Sequence, residues 1–157
     1  MRFALLLGIL GALAAPGCSS AAGCSGLSGR FSVVLGSAGA GNIVYALRLH
    51  NGGSASCTLR GLPALRLLGA SGKALSTHVL RDPRFKAGTS FVLRPGKTAT
   101  ATARFSPDVP GPGETGRQCE PVAHTARVSA AGLSVVVPLR PPTSVCEHGR
   151  LTFTTYR

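Results

Sequence analysis

The chain has 157 residues, 44% of them hydrophobic and only 14% charged, which fits one globular domain and excludes both a disordered polyelectrolyte and a charged helical rod. With 21 glycines, 11 prolines and no tryptophan, it favours short strands joined by tight turns over long helices. The formal charge of +12 allows an anionic partner, but the basic residues, mostly arginine, are spread almost evenly from Arg30 to Arg157 rather than gathered in a run. The same Arg-heavy, Ala/Gly/Pro-rich usage is what a GC-rich coding sequence produces.

Met1 and Arg2 open the chain, and an apolar run from Phe3 to Ala15 leads into Pro16-Gly17-Cys18-Ser19-Ser20. One charge, a short apolar core and a small-residue exit make a secretory signal over residues 1–17. A run of about 13 residues is well short of the roughly 20 that span a bilayer. Ala15-Pro16-Gly17-Cys18 is similar to a bacterial lipobox, with Gly17 in place and Pro16 departing from the pattern. This predicts lipidation at Cys18, a linker over 18–23 and a membrane-anchored domain over 24–157. Cleavage after Ala14 or Ala22, with free secretion, is the competing reading. Cysteine arithmetic favours Cys18: of Cys18, Cys24, Cys57, Cys119 and Cys146, lipidating the first leaves four for two disulfides.

Beyond the signal, strand periodicity dominates. Nine strands are predicted, over 31–35, 42–50, 64–68, 75–80, 90–93, 98–105, 125–130, 133–139 and 151–156. In the second, Ile43, Tyr45, Leu47 and Leu49 share a core face, while Val44, Ala46, Arg48 and His50 share a mostly solvated one. Asn51-Gly52-Gly53-Ser54 then predicts a hairpin-like turn. Pro95-Gly96 marks a turn into the Thr/Ala alternation of 98–103, whose alanines point inward. Residues 106–118, with three prolines at 107, 110 and 112, form a loop. The spacing points to an antiparallel β-sandwich of about 7–9 strands.

Two local hairpins select a disulfide pairing. A hairpin turning near residue 39 or 40 brings Cys24 and Cys57 to one end, and a second, turning near 131–132, is flanked by Cys119 and Cys146. Of the three connectivities that four cysteines allow, Cys24–Cys57 with Cys119–Cys146 is the one that local hairpins produce. Each bridge closes a loop of about 27 to 33 residues, worth roughly 3 to 4 kcal/mol through loop-closure entropy.

Cys24, Tyr45-Ala46-Leu47 leading to His50-Asn51-Gly52-Gly53, and Ser56-Cys57-Thr58-Leu59-Arg60-Gly61-Leu62-Pro63 together resemble the bacterial family DUF4232, a domain of unknown function. Leu93-Arg94-Pro95-Gly96-Lys97, Cys119-Glu120-Pro121 and Val137-Pro138-Leu139 through Cys146 continue the resemblance to the C-terminus. It implies an exported, often lipid-anchored, immunoglobulin-like β-sandwich with no assigned activity and no catalytic residues to carry over.

No residue pattern identifies an enzyme. Asp82, Asp108, Glu114, Glu120 and Glu147 fall in no paired motif, and no G-x-S-x-G elbow is present. His50, His78, His124 and His148 lie on separate segments; Cys146-Glu147-His148 is the only dense group of potential ligands and reads as a solvated loop. No cofactor and no metal are expected. Arg81, Arg84 and Lys86 in one loop, extended by the Arg94/Lys97 turn, are the candidate anion site, because arginine forks bind phosphate bidentately. Nucleic acid is not expected, since export removes it and clusters of exposed aromatics for stacking are absent. The resulting expectation is a non-enzymatic envelope module that binds anionic polymers or lipids. Its alternatives are a freely secreted ligand-binding protein and a hydrolase whose groups meet only in the fold.

Overall fold

A computed structural model describes residues 24–114, 119 and 121–157. The expected signal segment, Cys18 and the 18–23 linker lie outside the described residues. Ten strands and one short helical turn follow in chain order: β1 (Leu27–Val33), β2 (Ile43–Asn51), β3 (Cys57–Arg60), β4 (Ala64–Leu68), β5 (His78–Arg81), β6 (Ser90–Leu93), β7 (Thr98–Phe105), β8 (Ala123–Ala130), β9 (Leu133–Thr143), α1 (Cys146–Gly149) and β10 (Arg150–Phe153). All nine predicted strands are present, and three keep their predicted bounds: β4, β6 and β7. The strand expected to begin at residue 75 begins at His78; Leu75 instead donates its N–H to the Leu67 carbonyl at 2.9 Å.

Both predicted hairpins form. β1 and β2 pair antiparallel from Leu27↔Asn51 to Val33↔Tyr45, and their loop closes where Gly39 bridges Asn42 around Ala40 (φ 49) and Gly41 (φ 71). β8 and β9 pair up to Ala130↔Leu133 around Ala131 (φ 50) and Gly132 (φ 79). Two consecutive residues at positive φ twist a two-residue connection with the same hand as the strands. In each turn glycine occupies the second position and alanine bears the left-handed strain of the first.

The expected antiparallel sandwich needs correction. Eight strands form one continuous mixed sheet in the order β4-β8-β9-β1-β2-β7-β10-β5, curled into a nearly closed, barrel-like wall, with β3 and β6 as a separate antiparallel pair. β1 lies between β2 and β9, so it hydrogen-bonds the two would-be layers into one wall. Its pairing with β9 is parallel (Phe31↔Leu139, Ser32↔Arg140), as is that of β5 with β10. The direction of β9 is set by its hairpin with β8, whichever way β1 runs. Nor does Asn51-Gly52-Gly53-Ser54 close a hairpin, because β3 leaves β2 to pair with β6.

The wall closes over one apolar core. Tyr45, Leu47 and Leu49 are buried on the expected face of β2, and Ala99, Ala101 and Ala103 on that of β7. Small alanines on β7 leave room for the rings of Phe31, Tyr45, Phe105 and Phe153, whose neighbouring centroids lie 5.2–5.9 Å apart. Ala46, expected on the solvated side, is only 2% exposed. Gly29 on β1 has no room for a side chain: a Cβ there would meet the Arg48 carbonyl oxygen at 2.5 Å and Leu49 Cδ2 at 2.9 Å.

The disulfides follow the hairpins. Cys24 pairs with Cys57 (Cα–Cα 5.3 Å) and Cys119 with Cys146 (Cα–Cα 5.0 Å). At the first bridge Asn51, fully buried, uses every polar atom it has. Its N–H donates to the Lys97 carbonyl (3.0 Å) and its carbonyl accepts from the Gly96 N–H (2.8 Å). Side-chain Nδ2 donates to the carbonyls of Ala55 (2.8 Å) and Leu93 (3.1 Å), while Oδ1 accepts from the Gly53 N–H (3.0 Å). One side chain thus ties the end of β2 to the 52–56 loop and to β6, beside Cys57.

Candidate anion-binding surface

The loop after β5 holds its charges in two different ways. Asp82 is buried and accepts from the Arg84 backbone N–H at 3.0 Å and from the guanidinium of Arg84 at Nε (3.0 Å) and Nη2 (2.6 Å). The Arg84 side-chain hydrogen bonds, with its backbone N–H next, hold the Asp82 carboxyl down at about 2. Arg84 is thereby committed to an internal carboxylate, whereas Lys86 is exposed and Arg81 donates Nη1 to the Phe85 carbonyl. Arg94 and Lys97 flank the turn at the far end of β6, four residues or about 13 Å of strand from the start of that strand. The five predicted residues therefore fall on two segments, one before β6 and one after it, with one arginine already paired.

Cys146-Glu147-His148 forms the α1 turn, with Glu147 (φ 54) and His148 (φ 58) both left-handed. Glu114, its side chain 2% exposed, clasps that turn by accepting from the backbone N–H groups of Gly111 (2.5 Å), Glu147 (2.8 Å) and His148 (2.6 Å). Burial pushes its carboxyl upward, but those three donors outweigh burial and hold it below the usual carboxylate range. His148 Nε2 lies 3.1 Å from the Pro112 carbonyl. Among the described residues no cluster of His, Cys, Asp or Glu has the arrangement of a metal site.

The main sheet gathers a set of charges that the linear sequence disperses. Each of its eight strands carries one arginine: Arg66 on β4, Arg127 on β8, Arg140 on β9, Arg30 on β1, Arg48 on β2, Arg104 on β7, Arg150 on β10 and Arg81 on β5. No Lys, Asp or Glu occurs in any of the ten strands; Asp82, Asp108 and Glu114 belong to loops and Glu147 to α1, while Glu120 lies outside the described residues. Strand alternation places Arg30 opposite in face to buried Phe31, and Arg48 opposite to buried Leu47 and Leu49, so both point outward from the core.

Register then makes direct neighbours of like charges twice. Arg30 on β1 faces Arg48 on β2, and Arg66 on β4 faces Arg127 on β8. Each pair borders a shallow cleft. One, of about 260 Å³, is lined by Ser28, Gly29, Arg30, Arg48, His50 and Thr98. The other, of about 240 Å³, is lined by Ala64, Leu65, Arg66, Arg127 and Ser129. In the first, Arg48 Nη1 donates to Ser32 Oγ at 3.3 Å, and His50 Nδ1 sits 3.3 Å from Thr98 Oγ1. Among the described residues neither pair has a carboxylate within ion-pair distance; the ion pairs found join Arg84 to Asp82, His148 to Glu114 and Arg150 to Glu147. The alternation of β2 already marked Arg48 and His50 as outward-facing. Their partners across strands leave no local signal.

Fold and surface together define a disulfide-stapled, mostly β domain whose main sheet carries two arginine pairs, each beside a cleft with serine or threonine in its lining; two disulfides fit a chain matured outside the reducing cytoplasm. Residues 24–157 match the family described as domain of unknown function DUF4232, and the chain belongs to that family. No curated protein and no solved structure matches it.

Proposed function

We propose that this chain is an exported, non-enzymatic binding module, held at the outer face of a bacterial membrane through lipid on Cys18, that takes anionic polymers of the cell envelope. The observation that carries the reading is the arginine on each strand of the main sheet, with no acidic residue in any strand. A solvated surface of mixed sign would intersperse Asp and Glu among these positions. The binding contribution of the 81–86 loop is small in this reading, because Asp82 already neutralises Arg84.

The test is retention of the full chain on an immobilised phosphate polymer as salt is raised. Exposed charges are screened within about 10 Å at 0.1 M ionic strength, so retention should be strong at low salt and fall steeply above it. Salt-insensitive retention, or none at low salt, refutes the reading. The anchor is tested separately with a fatty-acid probe in cells, where label should enter the wild-type chain and be lost in Cys18→Ser; label-free wild-type protein in the medium would establish free secretion instead.

A further inference from the structure

We infer that the Arg30–Arg48 and Arg66–Arg127 pairs are two subsites for phosphates two or more repeats apart on one phosphodiester polymer, lying across the outer wall between β4 and β2. This rests on the anionic-polymer reading above and adds to it a place and a ligand chemistry.

Like charges directly opposite on neighbouring strands are destabilising, and the sheet accepts that repulsion twice in the same form. Among the described residues no acidic side chain relieves either pair. An arrangement that costs stability in the free protein is most readily explained by an anion that supplies the missing negative charge. The donors define which anion. Each cleft offers two guanidinium forks together with serine or threonine hydroxyls, Ser28 and Thr98 in the first and Ser129 in the second. Two forks converging from adjacent strands can each take one non-bridging oxygen of a phosphate, and the hydroxyls can donate to the ester oxygens.

The spacing points to a polymer. Along the order β4-β8-β9-β1-β2, the centres of the two pairs are three strand spacings apart and offset by two residues along the strands, about 16 Å in all. Arg140 on β9, which pairs across from Ser32 of β1, lies two residues, about 7 Å, along the strands beyond the Arg30–Arg48 row and adds positive charge beside it. A chain with phosphates at short, regular intervals can occupy both clefts at once, the second contact then being intramolecular. The wall is curled and nearly closed, so a flexible strand can follow it where a flat bilayer would touch only part.

The experiment measures binding of the full chain, in non-ionic detergent at 0.1 M salt, to poly(glycerol phosphate), glycerol phosphate monomer, poly-L-glutamate and phosphatidylglycerol vesicles. Arg30→Thr/Arg48→Thr and Arg66→Thr/Arg127→Thr are compared with Arg94→Thr/Lys97→Thr, which removes the same charge from a turn that lines neither cleft. Each sheet pair should cost at least about tenfold in affinity for the polymer, from the loss of charge-assisted hydrogen bonds, and the turn variant less than about threefold. The monomer and polyglutamate should bind at least about tenfold more weakly than the polymer. Threonine suits a strand, so the sheet variants should melt no lower than wild type, which separates lost binding from lost folding.

Equal losses from all three double variants would overturn the paired subsites while leaving the anionic-polymer reading in place. Equal affinity for polyglutamate, or tighter binding to the vesicles, would replace the phosphodiester strand by a general polyanion or a membrane surface. Failure of the wild-type chain to bind any of these anions would remove both readings together.

Discussion

Asn51 offers the sharpest test of how this fold is held. Its side chain is fully buried and makes three hydrogen bonds to main-chain groups of Ala55, Leu93 and Gly53. At about 1 kcal/mol net for each bond, Asn51→Ala should destabilise by about 3 kcal/mol, and by more if the released carbonyls stay dry. With a urea slope of about 1.5 kcal/mol/M, the unfolding midpoint should fall by about 2 M. Asn51→Asp separates shape from donor capacity, because the carboxylate keeps the acceptor for Gly53 but turns an anion towards the carbonyls of Ala55 and Leu93. Burial and those carbonyls raise its folded-state pKa, so its penalty builds as pH climbs from the ordinary aspartate value through the raised one, and is relieved as pH falls. At pH 7 Asn51→Asp should therefore be less stable than wild type, with the gap narrowing in acid. A loss below about 1 kcal/mol for Asn51→Ala, or wild-type stability for Asn51→Asp at pH 7, would refute the claim that this amide joins β2 to β6.

Three further outcomes follow from the same structure. Replacing Cys119 and Cys146 together by Ser should lower stability by about 3.5 kcal/mol, from reopening a loop of 27 residues, measured by urea unfolding under non-reducing conditions. Asp82 is held at about 2 by Arg84, below its ordinary 3.8, so the stability it contributes is full above the higher value and lost as pH falls through the lower. Asp82→Asn should accordingly flatten the melting temperature between pH 4 and pH 2 relative to wild type, with Glu114 supplying the acid sensitivity that remains. Ala131→Asn should stabilise by about 1 kcal/mol, since Asn tolerates the left-handed φ of 50° that alanine bears in the β8–β9 turn; an unchanged or lower melting temperature would count against strain there.

Most of the local structure was legible in the residues. Alternation identified nine strands and placed Tyr45, Leu47 and Leu49 and the β7 alanines inward, because pleating ties side-chain direction to sequence parity. Both hairpins and both disulfides were legible for a related reason: a hairpin brings flanking segments together without reference to the rest of the chain. Strand β3 was not, since Cys57-Thr58-Leu59-Arg60 is too short for its alternation to stand out and forms against β6, with partners 30 to 36 residues away. The parallel joins of β1 to β9 and of β5 to β10 were likewise invisible, because no local turn connects those strands.

The candidate site divides in the same way. The sequence by itself determined the charge and the outward direction of Arg48 and His50. It also made Arg81, Arg84 and Lys86 conspicuous, because closeness along the chain is what a linear reading sees. Tertiary structure alone showed that Arg84 is occupied by Asp82 and set Arg30 against Arg48 and Arg66 against Arg127. One arginine per strand looks like even scatter in a sequence. Strands about 4.8 Å apart turn intervals of 18 and 61 residues into nearest neighbours, and only the order and register of the sheet decide which arginines meet.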